Sequence, residues 1–356
     1  MAGHRDEELV RAHAEPGRSI AQGPPVGRVA REEAEAALLR PGATLASGAG
    51  KRAVPEEPDV ERTCYERDRD RIVHSTAFRR LAGKTQVVVF PTDHQRTRLT
   101  HALEVAQVAT SIARGIGANA TLAEAIALGH DCGHGPGGHA SEDAFDVFIP
   151  GGYDHGPWGA DVVLTSLNLC AETLDGIRNH SWSRPTPATV EGEIVSWADR
   201  IAYCAHDLED AAGAGIVSLS ELPDEVALVC GTSRREQLGT FVRAVVAAAS
   251  DGGAVGMAPE PAAALAALRA FNYARIYTRP ESLAQSEAVI AVLRALVEYY
   301  AEHPDRLPDD QRPAEPDHDG RVRAAVTYVG GMTDRFAFGA ALSLLGWDPE
   351  RLPKGQ

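Results

Sequence analysis

Beyond residue 67, apolar residues recur at three- and four-residue spacing through most of the chain, the period that gathers them on one face of a helix. Leu99, Ala102, Leu103, Ala106, Ala109 and Ile112 predict one amphipathic helix, and Ile194, Ala198, Ile201, Ala205 and Leu208 predict a stronger one over about 191–212. Between them, Thr121 and Glu124 read as a T-x-x-E capping box opening a helix that runs toward His130. A further helix is expected over about 159–174, and others near 234–249, 260–277, 283–302 and 320–344. Strand periodicity is confined to 86–90, a short β candidate, and no internal repeat is present. The fold class this predicts is all-α, a helical bundle with additional C-terminal helices.

Composition changes this picture at the ends and on the surface. Residues 1–60 are rich in Ala, Gly, Pro, Arg and Glu and carry few large apolar residues, so they are expected to form a mostly mobile arm. The chain of 356 residues is long enough for two domains or one large one, and its apolar content of 44% is that of a globular protein. A net charge of −15 disfavours DNA, RNA and anionic membranes as general partners, while leaving room for an anionic substrate in a pocket whose own charges are positive. No apolar run is long enough for a membrane helix. The five cysteines form no CxxC pair and the opening MAGHRDEELV lacks an apolar signal core, so a cytoplasmic location is expected.

Candidate chemistry lies in the middle third. His130, His134, His139 and His155 crowd together with Asp131, Glu142 and Asp154, and the glycine-rich CGHGPGGH directly follows the adjacent His130 and Asp131. An imidazole beside a carboxylate suits a borderline divalent metal such as Mn, Fe, Co or Ni. Two more ligands are needed, and His101 and Asp199 are the best candidates, because each interrupts an apolar helix face: His101 in line with Val105, Val108 and Ile112, Asp199 in line with Val195 and Ala202. Taken singly, each could be satisfied by a hydrogen bond to a neighbour; taken together they form a donor set.

The order His101, His130-Asp131, Asp199 resembles the H…HD…D signature of the HD superfamily of metal-dependent phosphohydrolases. RDRDRIVHSTAFRRLAGKTQV (67–87), RLTHALEVAQVATSIA (98–113), EGEIVSWADRIAYCAHDLEDA (191–211) and VGGMTDRFA (329–337) are similar, in the same order, to segments of bacterial dGTPase-like dNTP triphosphohydrolases. The resemblance implies an HD-domain helical bundle, with a catalytic core over 61–215 and a C-terminal region, 216–356, that completes the substrate pocket and makes oligomer contacts. It also implies His101, His130, Asp131 and Asp199 as ligands of a divalent metal ion (Mn, Mg, Fe, Co or Ni), a dNTP substrate with dGTP foremost, a homo-oligomer, and a second dNTP as a possible activator.

Further roles follow from the same resemblance. Arg98, three residues before His101, and Arg200, one after Asp199, would contact the triphosphate, with Lys84 as a third cation on the phosphate tail. Tyr203 would lie against the deoxyribose and crowd a 2′-hydroxyl, and Asp207 would accept from the 3′-hydroxyl; Asp199, Tyr203 and Asp207 at i, i+4 and i+8 share one helix face. Tyr277 and Arg279 resemble a late substrate-closing segment. His134, His139 and His155 are the candidates for proton transfer. His139 has the strongest local case, since Glu142 three residues on can face it and raise its pKa. Two departures stand out: HGPGGH replaces the usual HPPFGH, so Gly135 and Gly137 stand where relatives have proline and phenylalanine, and Asp154-His155-Gly156 replaces EHN. Other readings are an HD nucleotidase or phosphodiesterase, and a nucleotide sensor or single-strand nucleic-acid binder using the arginines at 67, 69, 71, 79 and 80.

Overall fold

The computed structural model describes residues 4–5, 9–13, 17–87, 95–313 and 317–353. Its helices are α1 (Arg28–Leu38), α2 (Cys64–His74), α3 (Thr76–Arg80), α4 (Arg98–Ile116), α5 (Ala120–Gly129), α6 (His139–Asp146), α7 (His155–Trp158), α8 (Ala171–Asn179), α9 (Val190–Gly213), α10 (Asp224–Cys230), α11 (Arg234–Gly252), α12 (Pro259–Asn272), α13 (Pro280–Glu302), α14 (His318–Gly330) and α15 (Asp334–Leu345). Among the described residues, β structure amounts to the pair His4–Arg5 and Val10–Arg11 and two isolated bridges, Thr85 with Thr97 and Arg52 with Cys170. The fold is all-α, as the periodicity predicts. Of the β candidate at 86–90, Gln86 and Val87 form a bend and residues 88–90 lie outside the described residues.

Local chemistry explains where several helices start and stop. The cap of α5 is Asn119, whose side chain accepts from the Thr121 and Leu122 amides at 3.1 Å, so the helix opens before the expected Thr121–Glu124 box. The continuous helix expected over 159–174 does not form. A π turn, Gly159–Val163, and a 3-10 turn, Thr165–Leu167, lead to Asn168 in the left-handed region at φ 48°, and α8 then starts at Ala171. Asn168 is locked there by amide exchange with the Val54 backbone. The helix expected over 320–344 breaks between α14 and α15, where Thr333 caps the second piece by accepting from the Phe336 amide. The segment 260–277 is α12 followed by a π turn, Tyr273–Tyr277.

Within the stretch expected as an N-terminal arm, regular structure begins at residue 28. There α1 forms, and polar contacts hold it and the following segment in place: the Arg28 amide donates to Val60 O, the Arg40 amide to Gly117 O, and the Thr44 hydroxyl to the fully buried Glu191 at 2.7 Å. Apolar patterning is blind to such anchors.

Two apolar cores result. The larger packs α2, α4, α5, α9, α11 and α12; the five apolar residues that predict α9 are all buried, and Ile194, Ala198, Ile201 and Leu208 belong to this core; on α4 the buried face centres on Val105, Val108 and Ala109, leaving Leu103 half exposed. The smaller joins Phe145, Tyr153 and Trp158 to α13, α14 and α15. A cavity of about 930 Å³ lies where the two meet, lined by Arg98, His101, Asp131 and Asp199 on the first side and Ala140 and Val289 on the second.

Candidate metal centre and substrate cavity

Three helices deliver the four expected metal ligands. His101 lies in the second turn of α4, His130 and Asp131 follow the last turn of α5, and Asp199 sits in α9. His101 Nε2 is 3.0 Å from Asp199 Oδ1, and His130 Nε2 is 3.4 Å from Asp131 Oδ1 and 3.6 Å from Asp199 Oδ1. The His130 Nδ1–H donates to Ala127 O at 2.6 Å, which orients the ring and turns Nε2 inward. That Nε2 is buried without a hydrogen-bond partner. Burial raises both carboxyls, but Arg98 and His130 beside Asp131, and the hydrogen-bonding imidazoles of His101 and His130 beside Asp199, outweigh it and hold both well below the usual range. The same carboxylates, working against burial, push His130 up to about 9. The cluster thus demands positive charge, and its nitrogen and oxygen donors fit a divalent metal.

One buried cation borders the cluster. Arg98 is 1% exposed and donates to Asp131 Oδ2 at 2.8 Å, while its Nε and Nη2 have no acceptor. Two unanswered guanidinium nitrogens facing a cavity call for an anion. Room for this arginine comes from Gly138 at φ 64°, where a Cβ would stand 2.7 Å from Arg98 Nη2. At Gly137, φ 73°, a Cβ would fall 2.4 Å from Val289 Cγ1. Val289 of α13 therefore packs directly on this glycine and forms that part of the cavity wall.

The three candidate proton-transfer histidines converge with Glu142. One Glu142 oxygen meets His139 Nδ1 at 2.8 Å and the other meets His155 Nδ1 at 2.7 Å. Burial would raise the Glu142 carboxyl, yet His155 and His139 hold it well below the usual range. The His139 side chain is 74% exposed, whereas His155 is buried and, against its burial, raised by Glu142. The partnership expected of His139 alone is therefore shared. His134 stacks on His155 at 3.8 Å and burial pushes it well down, keeping it neutral.

His180 was not legible as a site residue. It caps α8 as His130 caps α5, with Nδ1–H donating to Ile177 O at 2.8 Å and Nε2 3.1 Å from His155 Nε2. The signal was present in the histidine following GIRN, but a helix expected to end at 174 places no histidine at its C-terminus.

The face of α9 beyond Asp199 forms the other end of the cavity. Tyr203 Oη accepts from Arg269 Nε at 3.0 Å, and Tyr277 Oη–H donates to Asp207 Oδ2. Asp207 Oδ1 is buried with no partner, and burial pushes this carboxyl up to about 7. Arg200 lines the cavity against Trp182. Arg269 and Trp182 lay outside the expected set. Lys84 is a correction: its ammonium donates to His134 O and, at 2.9 Å, to Gly330 O, so it clamps backbone carbonyls instead of facing a phosphate tail.

Residues 98–204 match the HD domain and residues 255–341 the phosphohydrolase-associated domain. Together with the His-Asp cluster, these define an HD-domain, metal-dependent phosphohydrolase. A deoxyguanosinetriphosphate triphosphohydrolase-like protein of Caldanaerobacter subterraneus subsp. tengcongensis is 40% identical over 86% of this chain and 92% of its own length. Two similarly named proteins, from Clostridium perfringens strain 13 and from Desulfatibacillum aliphaticivorans, are 39% and 37% identical over 79% and 86% of this chain, covering 86% and 94% of their own lengths. The chain belongs to this deoxyguanosinetriphosphate triphosphohydrolase-like family. No helix among the described residues is long and apolar enough to cross a membrane.

Proposed function

We propose that this chain hydrolyses deoxynucleoside triphosphates, dGTP foremost, to the deoxynucleoside and tripolyphosphate. The observation that carries the reading is the face of α9, where Asp199 of the metal cluster, Tyr203 and Asp207 with its unanswered Oδ1 stand one turn apart. One helix can then hold a phosphate at one end and a sugar hydroxyl at the other. The names of the relatives support the same substrate class.

His101, His130, Asp131 and Asp199 would hold the divalent ion, which when bound supplies Lewis-acid polarisation of a phosphate oxygen and a more acidic water. Arg98 binds phosphate oxygens through Nε and Nη2, and Arg200 adds a second cation. Tyr203 packs on the deoxyribose where a 2′-hydroxyl would clash. Asp207 accepts from the 3′-hydroxyl while Tyr277 fixes its other oxygen. His134 packs against His155 beside the cluster. As the water oxygen bonds to the α-phosphorus and the bond to the 5′-oxygen breaks, a proton from His139 or His155, both held by Glu142, neutralises the departing oxygen.

Purified protein incubated with each dNTP and with Mn, Mg, Fe, Co or Ni should release deoxynucleoside and tripolyphosphate, and Asp199→Ala should lose both this activity and the bound metal. Inorganic phosphate or a monophosphate as product would assign a nucleotidase or phosphodiesterase instead. Tight binding without turnover would assign a sensor. A nucleic-acid surface draws little support, because Arg67 and Arg71 pair with Glu56, and Arg69 pairs with Asp70 and Glu124.

A further inference from the structure

Arg200 is held by an aromatic face. Its guanidinium carbon lies 3.5 Å from the centroid of the Trp182 ring. No carboxylate pairs with it among the described residues, and its Nε is buried without an acceptor. Trp182 is itself fixed twice: its indole N–H donates to Ser196 O at 3.0 Å, one turn before Arg200 on α9, and Trp197 meets its ring nearly edge-on at 4.7 Å and 73°. Trp197 in turn packs on the larger core. Trp182 is nevertheless 47% exposed, and it lines the cavity beside Arg200. A half-exposed tryptophan anchored to the core by its neighbour and to α9 by its N–H is a rigid platform at the cavity wall.

The choice of a ring over an acid has a consequence for anion binding. A carboxylate would orient the guanidinium equally well but would cancel its charge and occupy its N–H edge. A ring covers one face of the guanidinium plane, leaves the charge in place and keeps the edge free for paired hydrogen bonds to phosphate oxygens. Fixing the plane beforehand also removes the rotamer freedom a long side chain would otherwise lose on binding.

We propose that Trp182 is a positioning residue for polyphosphate capture, holding Arg200 flat so that its N–H edge meets the phosphate tail of the substrate. The inference rests on the reading of the cavity as a dNTP site. The experiment measures, by calorimetry on the metal-loaded protein, the affinities of inorganic tripolyphosphate and of deoxyguanosine separately, for wild type, Trp182→Ala, Trp182→Phe, Arg200→Ala and the Trp182→Ala/Arg200→Ala double variant. Trp182→Ala should weaken tripolyphosphate binding about tenfold, and Trp182→Phe, which keeps a ring face, should recover most of it. Deoxyguanosine affinity should not move, and Trp182→Ala should cost nothing further once Arg200 is gone. If wild type binds tripolyphosphate and Trp182→Ala binds it equally well, the positioning role is overturned while the nucleotide reading stands. An equal loss of deoxyguanosine affinity also overturns it, making the ring a nucleoside platform, as does a full Trp182→Ala penalty in the Arg200→Ala background. Wild type that fails to bind tripolyphosphate overturns the nucleotide reading and this inference together.

Discussion

Glu142 has one oxygen for each of two histidines, and that sharing makes it the most consequential acid outside the metal cluster. Glutamine in its place keeps the shape but has only one accepting oxygen, so one of the two rings loses its partner. Glu142→Gln should lower dGTP turnover by about 10²-fold or more while sparing an activated p-nitrophenyl phosphodiester, whose leaving group needs no proton. The same comparison on His139→Ala and His155→Ala identifies the donor as the histidine whose loss reproduces the pattern; equal damage to both substrates in all three variants contradicts a proton-donor role. Asp207 makes a pH prediction. It keeps its proton up to about pH 7 in the fold and loses it near the ordinary 3.8 when unfolded. Between those values the folded chain binds one proton more, so this group's contribution to stability falls as pH rises from about 4 to 7. Asp207→Asn cannot titrate, and the unfolding free energy of the variant minus that of wild type should therefore rise across that window. A flat difference contradicts the buried, neutral carboxyl.

Among the elements, α9 was the most legible in the sequence, because a long helix buried on one side repeats its apolar residues often enough to expose Asp199 as an exception. The breaks were not. Asn168 ends a helical run through its side-chain contacts with Val54, more than a hundred residues away in the chain, and no local pattern encodes that contact. The run VGGMTD, recognisable only as a resemblance, has a physical task in the fold. Asp334 at the start of α15 accepts from the Gly137 amide at 2.8 Å and from the Thr85 amide at 3.0 Å, and takes the Thr85 hydroxyl as well. With Lys84 on His134 O and Gly330 O, this clamp ties the loop after Asp131 to the C-terminal helices. Asp334→Ala would strand buried donors, each costing about 1–3 kcal/mol, so denaturant unfolding should show a loss of at least about 2 kcal/mol. A change within about 0.5 kcal/mol would remove the clamp from the list of supports.

On the scale of the whole molecule, the cavity belongs to neither core alone: the His-Asp cluster is carried by helices of the larger, while Val289 on α13 closes the wall. The sequence displayed the four members of the His-Asp cluster and the α9 stripe, since His101 and Asp199 each interrupt a local apolar pattern and His130 and Asp131 are adjacent. It concealed His180, Trp182 and the anchored segment beyond residue 28, whose positions depend on contacts between distant segments. Hydrolysis at the α-phosphorus is the claim on which all the assigned roles depend, and it is tested most directly by turnover of dGTP in H₂¹⁸O with mass analysis of both products. One ¹⁸O is expected in the tripolyphosphate and none in the deoxyguanosine; ¹⁸O in the deoxyguanosine, or stepwise release of labelled inorganic phosphate, would rule out attack at the α-phosphorus.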